Sequence, residues 1–459
     1  MRRCRLRVTV LPVILLQKSV RSQGEGGGCR GGPGRGADII LGAPGRPQYS
    51  PSRQFAFSGE IPHTYVSMGT MNQKSPLWTR GFLNVCIANF LMACSFNLLM
   101  PSIPLYITEH LGVPQTQTGI VLASYALAVF LIRPFSGFLV DLYPRKSILL
   151  VSFVGYVVIF TGYFFATTVL FFVLIRFLHG LAWGGSTVSS STLAIDVVPS
   201  ERRAEGIGYY GTFMNVAMAV GPFIAIHIYQ TAGFQTLLWY AMGMGVLGII
   251  AVLLIKAPLR PKTKREKVSL DRFFLLPAWP IFLNQLLLCC AWGTIGAFVA
   301  QYGKKIEIPN AGIFFLFWAG GIMLSRVFSG RLVDRGHIHL VNVVAMAIAS
   351  VAFLMFATFH NLYAFCLSGF AIGIGFGMMF PALQTLYINM GENSQRGTAN
   401  STYLVGFDLG LSLGMLAGGY ISGTWSFEAM YRIASFLCVL SIPVYWTVSR
   451  PRFEKMRLR

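Results

Sequence analysis

The sequence predicts an all-α membrane protein in which twelve transmembrane helices form two pseudo-symmetric six-helix bundles, and three observations support this. Hydrophobic residues make up 54% of the chain and charged residues 12%, about half the charged fraction of an ordinary soluble domain. From about residue 80 onwards, apolar segments of about 20 residues follow one another, each long enough to cross the roughly 30 Å hydrocarbon core of a bilayer. In addition, the second half of the chain repeats the first.

The repeat is clearest in two stretches, RPFSGFLVDLYPRK from Arg133 and RVFSGRLVDRGHIH from Arg326. Arg, Phe, Ser, Gly, Leu, Val and Asp recur in them at an offset of 193 residues, and the same offset holds without a gap over about ninety residues. This constant register indicates that one unit was duplicated, and transporters built from repeats bind their solute between them. Further pairs at this offset are Gly180 and Gly373, Gly184 and Gly377, Arg203 and Arg396, and Gly221 and Gly414.

Residues 1–70 differ from the rest of the chain, because they are rich in Gly, Arg and Pro and hold one apolar run too short to cross a bilayer. We expect them to form a disordered N-terminal extension, since they cannot bury a core. Their opening resembles an Arg-rich targeting peptide. Met68 and Met71, however, both precede an ordinary transporter start, which favours a mature protein without the extension.

The transporter body consists of two bundles, residues 71–255 and residues 278–459, joined by a charged, Pro-containing cytoplasmic linker at 256–277. The apolar segments must be helical in lipid, because each unpaired backbone group there costs several kcal/mol. Small residues at four-residue spacing in the fourth and tenth segments predict close helix contacts. The predicted spans are 81–107, 117–139, 147–167, 170–195, 205–229, 234–255, 279–302, 311–333, 339–358, 362–389, 398–421 and 428–448.

The net charge of +21 reflects membrane topology, and nucleic acid is not needed as a partner to explain it. Most of the Lys and Arg residues after residue 70 lie in segments that the order of the spans places on one side of the membrane. Lys304 and Lys305 lie in loops on the other side. This asymmetry follows the positive-inside rule and predicts that both ends of the transporter body, including the basic C-terminal tail, are cytoplasmic.

The sequence gives no support for catalysis or cofactor binding: a G-x-G-x-x-G match can be placed on the glycines of the extension, but no strand precedes it and no helix follows. Six of the eight cysteines lie inside apolar segments, and no spacing of Cys or His is typical of zinc sites or disulfide frameworks. The ATP-binding motif G-x-x-x-x-G-K-[ST] does not occur, nor do a nucleophile, a base and an orienting group at recognisable spacing. We therefore expect a protein that is not an enzyme, binds no metal or cofactor and uses a proton gradient.

The first copy of the repeated stretch resembles the loop between helices 2 and 3 of the major facilitator superfamily, which is usually written G-x-x-x-D-R-x-G-R-K. Leu142 replaces the usual Arg and Pro144 the usual Gly, which weakens the charge network of the loop. In the family this loop joins the two bundles when the transporter faces outwards, so the resemblance implies a gate here. The second copy adds Asp334 and Arg335 to the predicted gate. The matching residues of the first copy are Gly137, Asp141, Arg145 and Lys146.

Two further motifs carry the resemblance, which covers about residues 75–450. RFLHG, from Arg176, is similar to the Arg-x-x-x-Gly element of helix 4, whose Arg takes part in proton coupling in exporters of the family. AVGPFIA, around Gly221, is similar to the Gly-Pro motif of helix 5 in exporters, although Ala225 and Ile226 stand in place of Gly-Gly. The resemblance implies a twelve-helix transporter of the drug and solute exporter branch.

Asp408 and Arg176 are the ionisable residues that the predicted spans place deep in the membrane. Each costs about 2.5 to 3.5 kcal/mol at the bilayer centre by insertion scales, so each should face a partner or a wet cavity. Ser401 and Ser412 share a helix face with Asp408, and Asn215 takes its position in the first half. We predict that Asp408 binds the coupling proton, since burial and a nearby cation act oppositely on a carboxyl group. A structural hydrogen bond or ion pair is the alternative.

Polar and aromatic side chains of the first and seventh spans are the predicted substrate contacts. Many drug exporters of the family carry an acidic residue in helix 1, and its absence here disfavours broad export of cations. The predicted contacts are Asn89, Asn97, Asn284, Gln285 and Trp292.

The sequence therefore predicts a secondary active transporter that moves a small organic solute by alternating access, with export in exchange for protons favoured. Proton-coupled uptake of a sugar or organic acid is the alternative that the weakened Gly-Pro motif leaves open. A non-transporting membrane receptor on the same fold is a third. The expected partners are the solute, protons and the lipid bilayer, and the expected form is a monomer in a bacterial inner membrane.

Overall fold

The computed structural model describes residues 76–199, 202–256, 274–391 and 396–457, and its regular elements there are all helical. The predicted extension at 1–70 and most of the predicted linker at 256–277 lie outside these ranges. The long helices are α1 Arg80–His110, α2 Gln115–Leu142, α3 Arg145–Tyr163, α4 Val169–Val197, α5 Arg203–Leu253, α6 Trp279–Lys305, α7 Ile313–Asp334, α8 Ile338–Thr358, α9 Leu362–Met390, α10 Arg396–Thr424 and α11 Phe427–Val444. A 3-10 turn, Leu276–Ala278, precedes α6, and a π-helical stretch, Tyr445–Ser449, leads from α11 into the short α12, Arg450–Met456.

Eleven helices in the described ranges are long and apolar enough to cross a membrane, and α5 is long enough to cross it twice. With 51 residues, α5 would extend for about 77 Å if it were straight. Gly233 interrupts it with φ 79° and ψ 174°, a conformation that glycine adopts at no steric cost. This residue lies between the fifth and sixth predicted spans, so the helices provide twelve crossings and the predicted fold class is confirmed.

The two halves of the chain use the same local contacts. Gly180 on α4 packs against the backbone carbonyl of Tyr125 on α2. Its repeat partner, Gly373 on α9, packs in the same way against the carbonyl of Trp318 on α7, again 193 residues further along. Thus α4 lies on α2 in the first bundle as α9 lies on α7 in the second. The predicted close contacts of the glycine stripes are confirmed.

The same correspondence holds at a second helix pair and at the helix starts. Gly221 on α5 packs against Asn97 on α1, and its repeat partner Gly414 on α10 packs against Cys290 on α6. The N-terminus of α4 is capped by the side chain of Thr168, and that of α9 by Asn361, which is also 193 residues later. Each accepts a hydrogen bond from a backbone N–H of the first turn.

The two bundles meet along three helix pairs: α2 with α10, α1 with α6, and α5 with α7. The first pair is the most closely packed, since a Cβ added to Gly119 of α2 would lie 2.8 Å from Cα of Gly419 on α10. We call this boundary the seam. The end where α1 ends and α2 begins is the outer end, following the orientation that the charge distribution predicts, and the opposite end is the inner end.

Candidate functional site

Asp408 of α10 forms an ion pair with Arg133 of α2 across the seam. The guanidinium binds the carboxylate in two places: Nη2 donates to Oδ1 at 3.1 Å and Nε donates to Oδ2. The side chains are 16% and 4% exposed, so solvent screens the pair weakly. The pair therefore connects α2 to α10. Removing one member would leave a buried charge without a partner, so the connection is costly to break.

The sequence prediction placed Arg133 within a span but did not count it among the charges deep in the membrane. That omission was wrong. The repeat contained a signal, because Arg133 and Arg326 are the first residues of the two copied stretches. Arg133 lies nine residues before the end of α2, which is more than two helical turns from the inner end. Its long side chain reaches a carboxylate that the sequence gives no means of assigning to it.

A second contact on the predicted polar stripe of α10 also crosses the seam. The hydroxyl of Ser412, one turn beyond Asp408, donates to the backbone carbonyl of Ala123 at 3.1 Å. Going from the outer end inwards, α2 and α10 thus meet at Gly119 and Gly419, then at this hydrogen bond, then at the ion pair.

Arg176 lies in the interior of the first bundle and is fully buried. Its guanidinium carbon is 4.4 Å from the ring centroid of Tyr125, a cation–π contact with α2. The hydroxyl of Tyr163 lies beside the guanidinium, but none of the three side-chain nitrogens makes a hydrogen bond of acceptable geometry to a described residue. The two residues predicted for proton coupling are therefore not paired with each other. Instead, each contacts a different residue of α2: Arg176 contacts Tyr125, and Asp408 pairs with Arg133.

His179, one turn after Arg176, is a buried titratable residue that the sequence analysis did not select. Its Nδ1 lies 3.1 Å from the hydroxyl of Tyr163, and its ring centroid lies 4.3 Å from that of Tyr156. Its Nε2 has no hydrogen-bond partner among the described residues. A histidine three residues after an embedded arginine was visible in RFLHG, but its aromatic surroundings come from α3.

The amides predicted to contact substrate in α6 bind neighbouring helices instead. Asn284 is fully buried, and its Nδ2 donates to the carbonyl of Ser441 at 2.7 Å. Gln285 donates to the carbonyl of Tyr403 at 2.8 Å and accepts from the hydroxyl of Tyr387 at 2.7 Å. Both amides hold α6 within the second bundle.

The predicted contacts in α1 are also used within their own bundle. Asn97 donates to the carbonyl of Ala93, one turn earlier, at 2.7 Å. Asn89 donates to the carbonyl of Tyr210 on α5 at 3.5 Å, while its Oδ1 has no partner among the described residues. Neither side chain is more than 5% exposed.

Trp292, the fifth predicted contact, is partly exposed and lies in a group of aromatic rings. Its ring centroid is 4.5 Å from that of Trp318, 4.9 Å from Phe376 and 5.0 Å from Phe380. Phe407, next to Asp408 in the chain, lies 6.4 Å away. We call these five residues the Trp292 cluster. It brings α6, α7, α9 and α10 together beside the seam.

The basic residues of the predicted gate contact the first bundle. Arg145 donates to the carboxylate of Asp196 at 2.7 Å, and Lys146 donates to the carbonyls of Leu253 and Ile255, each at 2.8 Å. These contacts fasten the start of α3 to the ends of α4 and α5.

In the described part of the structure, the remaining predicted gate residues show no side-chain contact between the bundles. The side chains of Asp141 and Asp334 lie outside the described part of the structure. A Cβ added to Gly137 would meet no atom within 4 Å, so no other helix packs on it. Arg335 follows α7, and its backbone N–H donates to the carbonyl of Arg331. The predicted gate, in which this loop joins the two bundles, therefore stays a prediction.

Hydrogen bonds close the outer end of the seam. Lys304 of α6 donates to Glu109 of α1 at 2.6 Å, and Gln301 donates to the carbonyl of Pro104 at 2.9 Å. Gln230 of α5 donates to the carbonyl of Pro309, in the loop after α6, at 3.1 Å. A cavity of about 470 Å³ lies outside these contacts and is lined by residues of both bundles.

Comparison with known proteins places the chain in a known group of transporters. The sequence model of the Major Facilitator Superfamily matches residues 85–359 and 306–458. The Multi-drug resistance efflux pump PmrA of Streptococcus pneumoniae serotype 4 is 25% identical over 381 residues, which cover 79% of this chain and 94% of the pump. The Quinolone resistance protein NorA of Staphylococcus aureus is 25% identical over 347 residues, covering 73% of this chain and 87% of NorA.

A solved structure agrees with the fold. A bacterial homolog of the human lysosomal transporter Spinster, in an inward-facing and occupied conformation, aligns with a TM-score of 0.69. The alignment covers 82% of this chain and 98% of the homolog at 13% sequence identity.

Proposed function

Because the chain belongs to the Major Facilitator Superfamily, we propose that this integral membrane transporter exports small organic solutes in exchange for protons. Two relatives that match over most of their length are named as a multidrug efflux pump and a quinolone resistance protein, which supports export. The proposal includes a bacterial inner membrane as the location, with both ends of the transporter body in the cytoplasm, as the positive-inside rule favours.

The ion pair of Arg133 and Asp408 is the observation on which the coupling mechanism rests. The outer end is closed by hydrogen bonds in this structure, so with cytoplasmic termini the seam is closed to the outside. In this state the carboxylate of Asp408 is ionised and joins α2 to α10. Opening the outer end requires these helices to separate and the pair to break. A proton that binds Asp408 from outside removes its charge and stabilises the separated state.

The magnitude of this effect is sufficient for a switch. Separating the charges without protonation would leave Arg133 and Asp408 without partners, and removing one member of a buried pair costs about 3 to 5 kcal/mol. Moving a two-state equilibrium from 1:99 to 99:1 requires about 5.5 kcal/mol. Gain or loss of one proton on Asp408 therefore supplies most of the bias between the two states, and the solute moves in the half of the cycle in which Asp408 carries no proton.

Transport by the purified protein in proteoliposomes with an imposed pH gradient tests the proposal. We expect norfloxacin, a quinolone, to move against its gradient when protons move the opposite way. Asp408→Asn should abolish the dependence on the pH gradient but retain exchange of norfloxacin between the two sides. Glu428→Gln is the matched control, because Glu428 pairs with Lys305 at the outer end of the same bundle and does not cross the seam.

Three other results would contradict parts of the proposal. A pH dependence that is unchanged in Asp408→Asn would remove this residue from coupling. Movement of norfloxacin in the same direction as protons would indicate an uptake symporter. Saturable binding of norfloxacin without any movement would favour a receptor.

A further inference from the structure

Arg326 of α7 occupies the position in the second bundle that Arg133 occupies in the first. The residue that pairs with Arg133 is Asp408, and the residue related to Asp408 by the same offset of 193 is Asn215 on α5. The pairing of α2 with α10 is thus mirrored by that of α7 with α5, but an amide replaces the carboxylate. The related pair of positions therefore keeps the arginine but has no carboxylate to act as its counterion.

Arg326 lies on α7, inward of the close contact between α7 and α5. Ala319 and Ile322 precede it by seven and four residues and so share its face of α7. Both are buried, at 3% and 4% exposure, whereas Arg326 is exposed. Closer to the outer end, the backbone at Gly312 packs directly on that of Phe223 in α5. α5 and α7 are therefore in close contact towards the outer end, and Arg326, further inward on α7, is exposed.

The embedded charges of the described helices do not balance. Four Asp, Glu, Lys or Arg residues lie at least seven residues from both ends of their helix: Arg133, Arg176, Arg326 and Asp408. Arg133 and Asp408 neutralise each other, so two cations remain. Arg326 has no ion pair or hydrogen bond from its side chain to any described residue, and the phenol of Tyr403 lies near it. An embedded cation needs an anionic partner or a wet cavity.

Beside Arg326, one face of α10 carries aromatic residues. The side chain of Tyr403 lies near those of Arg326, Arg133 and Asp408. Phe407 lies four residues after Tyr403, one turn closer to the outer end on the same helix face. Its ring centroid lies 5.2 Å from that of Phe380 in the Trp292 cluster. A solute that reaches both Arg326 and the cluster must carry an anionic group next to an aromatic one.

We propose that Arg326 binds the carboxylate of the transported solute, whose aromatic part contacts the Trp292 cluster. The preferred solutes are then amphipathic aromatic carboxylates. A planar guanidinium suits this role, because it binds both oxygens of a carboxylate with parallel hydrogen bonds. The inference rests on the proposed function only in taking the seam as the solute pathway, since it does not depend on proton coupling or on the direction of transport.

Equilibrium binding to the full chain in lipid nanodiscs, without a pH gradient, tests the proposal. The probes are 2-naphthoate, 2-naphthylmethanol and 2-naphthylmethylammonium, which share one ring system and differ in charge. We expect saturable binding of 2-naphthoate, at least about tenfold tighter than binding of the alcohol. Arg326→Gln should remove this preference and Arg326→Lys should retain part of it. Arg331→Gln, an exposed arginine at the inner end of α7, should bind like the wild type.

Several outcomes would overturn the proposal: no saturable binding of 2-naphthoate, equal or tighter binding of the alcohol or the ammonium, or unchanged preference in Arg326→Gln. Thermal unfolding of each variant, measured in parallel, shows that a loss of binding does not come from loss of fold. Because no gradient is imposed, failure here leaves the proton-coupling experiment unaffected. Failure of that experiment likewise leaves the binding result standing.

Discussion

Asp408 on α10 is paired with Arg133 on α2, although 275 residues separate them in the chain. The pair connects the two copies of a duplicated unit, one contributing the cation and the other the carboxylate. The related positions, Arg326 and Asn215, cannot form such a pair. The duplicated fold is therefore symmetric in its helix packing and asymmetric in its charges. We propose that this asymmetry allows one helix pair, α2 and α10, to bind the proton and the cation of α7 to bind the solute.

The first prediction concerns the stability of the ion pair. Arg133→Gln or Asp408→Asn alone should lower the free energy of unfolding by about 3 to 5 kcal/mol, because each leaves a buried charge without a partner. The double variant should lose clearly less than the sum of the two single variants, since no uncompensated charge remains. Equilibrium unfolding in mixed micelles measures all three differences. Additive losses would show that the two side chains do not interact in the membrane.

The close helix contacts at the glycines were predictable from the sequence, because the glycines recur at four-residue spacing and at the same positions of both repeats. Gly180 and Gly373 share one register, and their contacts with α2 and α7 follow from it. The partner of Asp408 was not predictable in this way. It depends on which face of α2 meets α10 and on the reach of the Arg133 side chain, and neither is encoded in local periodicity.

The buried amides illustrate a second limit of sequence reasoning. An Asn or Gln in an apolar segment must be hydrogen-bonded, but the sequence does not say whether its partner is a solute or a neighbouring backbone carbonyl. In the structure Asn284 and Gln285 bind carbonyls of α11 and α10. Trp292 differs, because its ring packs against other rings and is partly exposed.

The second prediction concerns the closest approach of α2 and α10. Gly119→Ala places a methyl group 2.8 Å from Cα of Gly419, so the outer end cannot close as it does here. We expect a folded protein with little transport, held with its outer end open. Gly155→Ala on α3 is the control, since a Cβ there meets no atom within 4 Å and should leave transport unchanged. Full transport by Gly119→Ala would show that this contact is not part of the cycle.

The third prediction compares two neighbouring lysines at the outer end. Lys304 bonds to Glu109 across the seam, whereas Lys305 bonds to Glu428 within the second bundle. An exposed ion pair contributes at most about 1 kcal/mol, so Lys304→Gln should favour the outward-open state by up to about fivefold. Lys305→Gln should have no such effect.

Labelling of an introduced cysteine measures this difference. Ala300 is 3% exposed and lines the outer cavity next to Lys304. In an Ala300→Cys background, a membrane-impermeant maleimide should react faster after Lys304→Gln and at an unchanged rate after Lys305→Gln. Equal rates in both variants would mean that the pair with Glu109 does not hold the outer end closed. The chain without the introduced cysteine gives the background rate.

The fourth prediction separates structural amides from solute contacts. Asn284→Leu removes the hydrogen bond to Ser441 inside the second bundle and should cost about 1 to 3 kcal/mol of stability. It should leave the norfloxacin concentration for half-maximal transport unchanged. Trp292→Ala should show the opposite pattern and raise that concentration, because its partly exposed ring belongs to the cluster proposed to contact the solute. Thermal unfolding and transport are measured on the same preparations. If Asn284→Leu kept normal stability and changed the half-maximal concentration, Asn284 would be a solute contact after all, and the boundary of the binding surface would have to include α6 up to that residue.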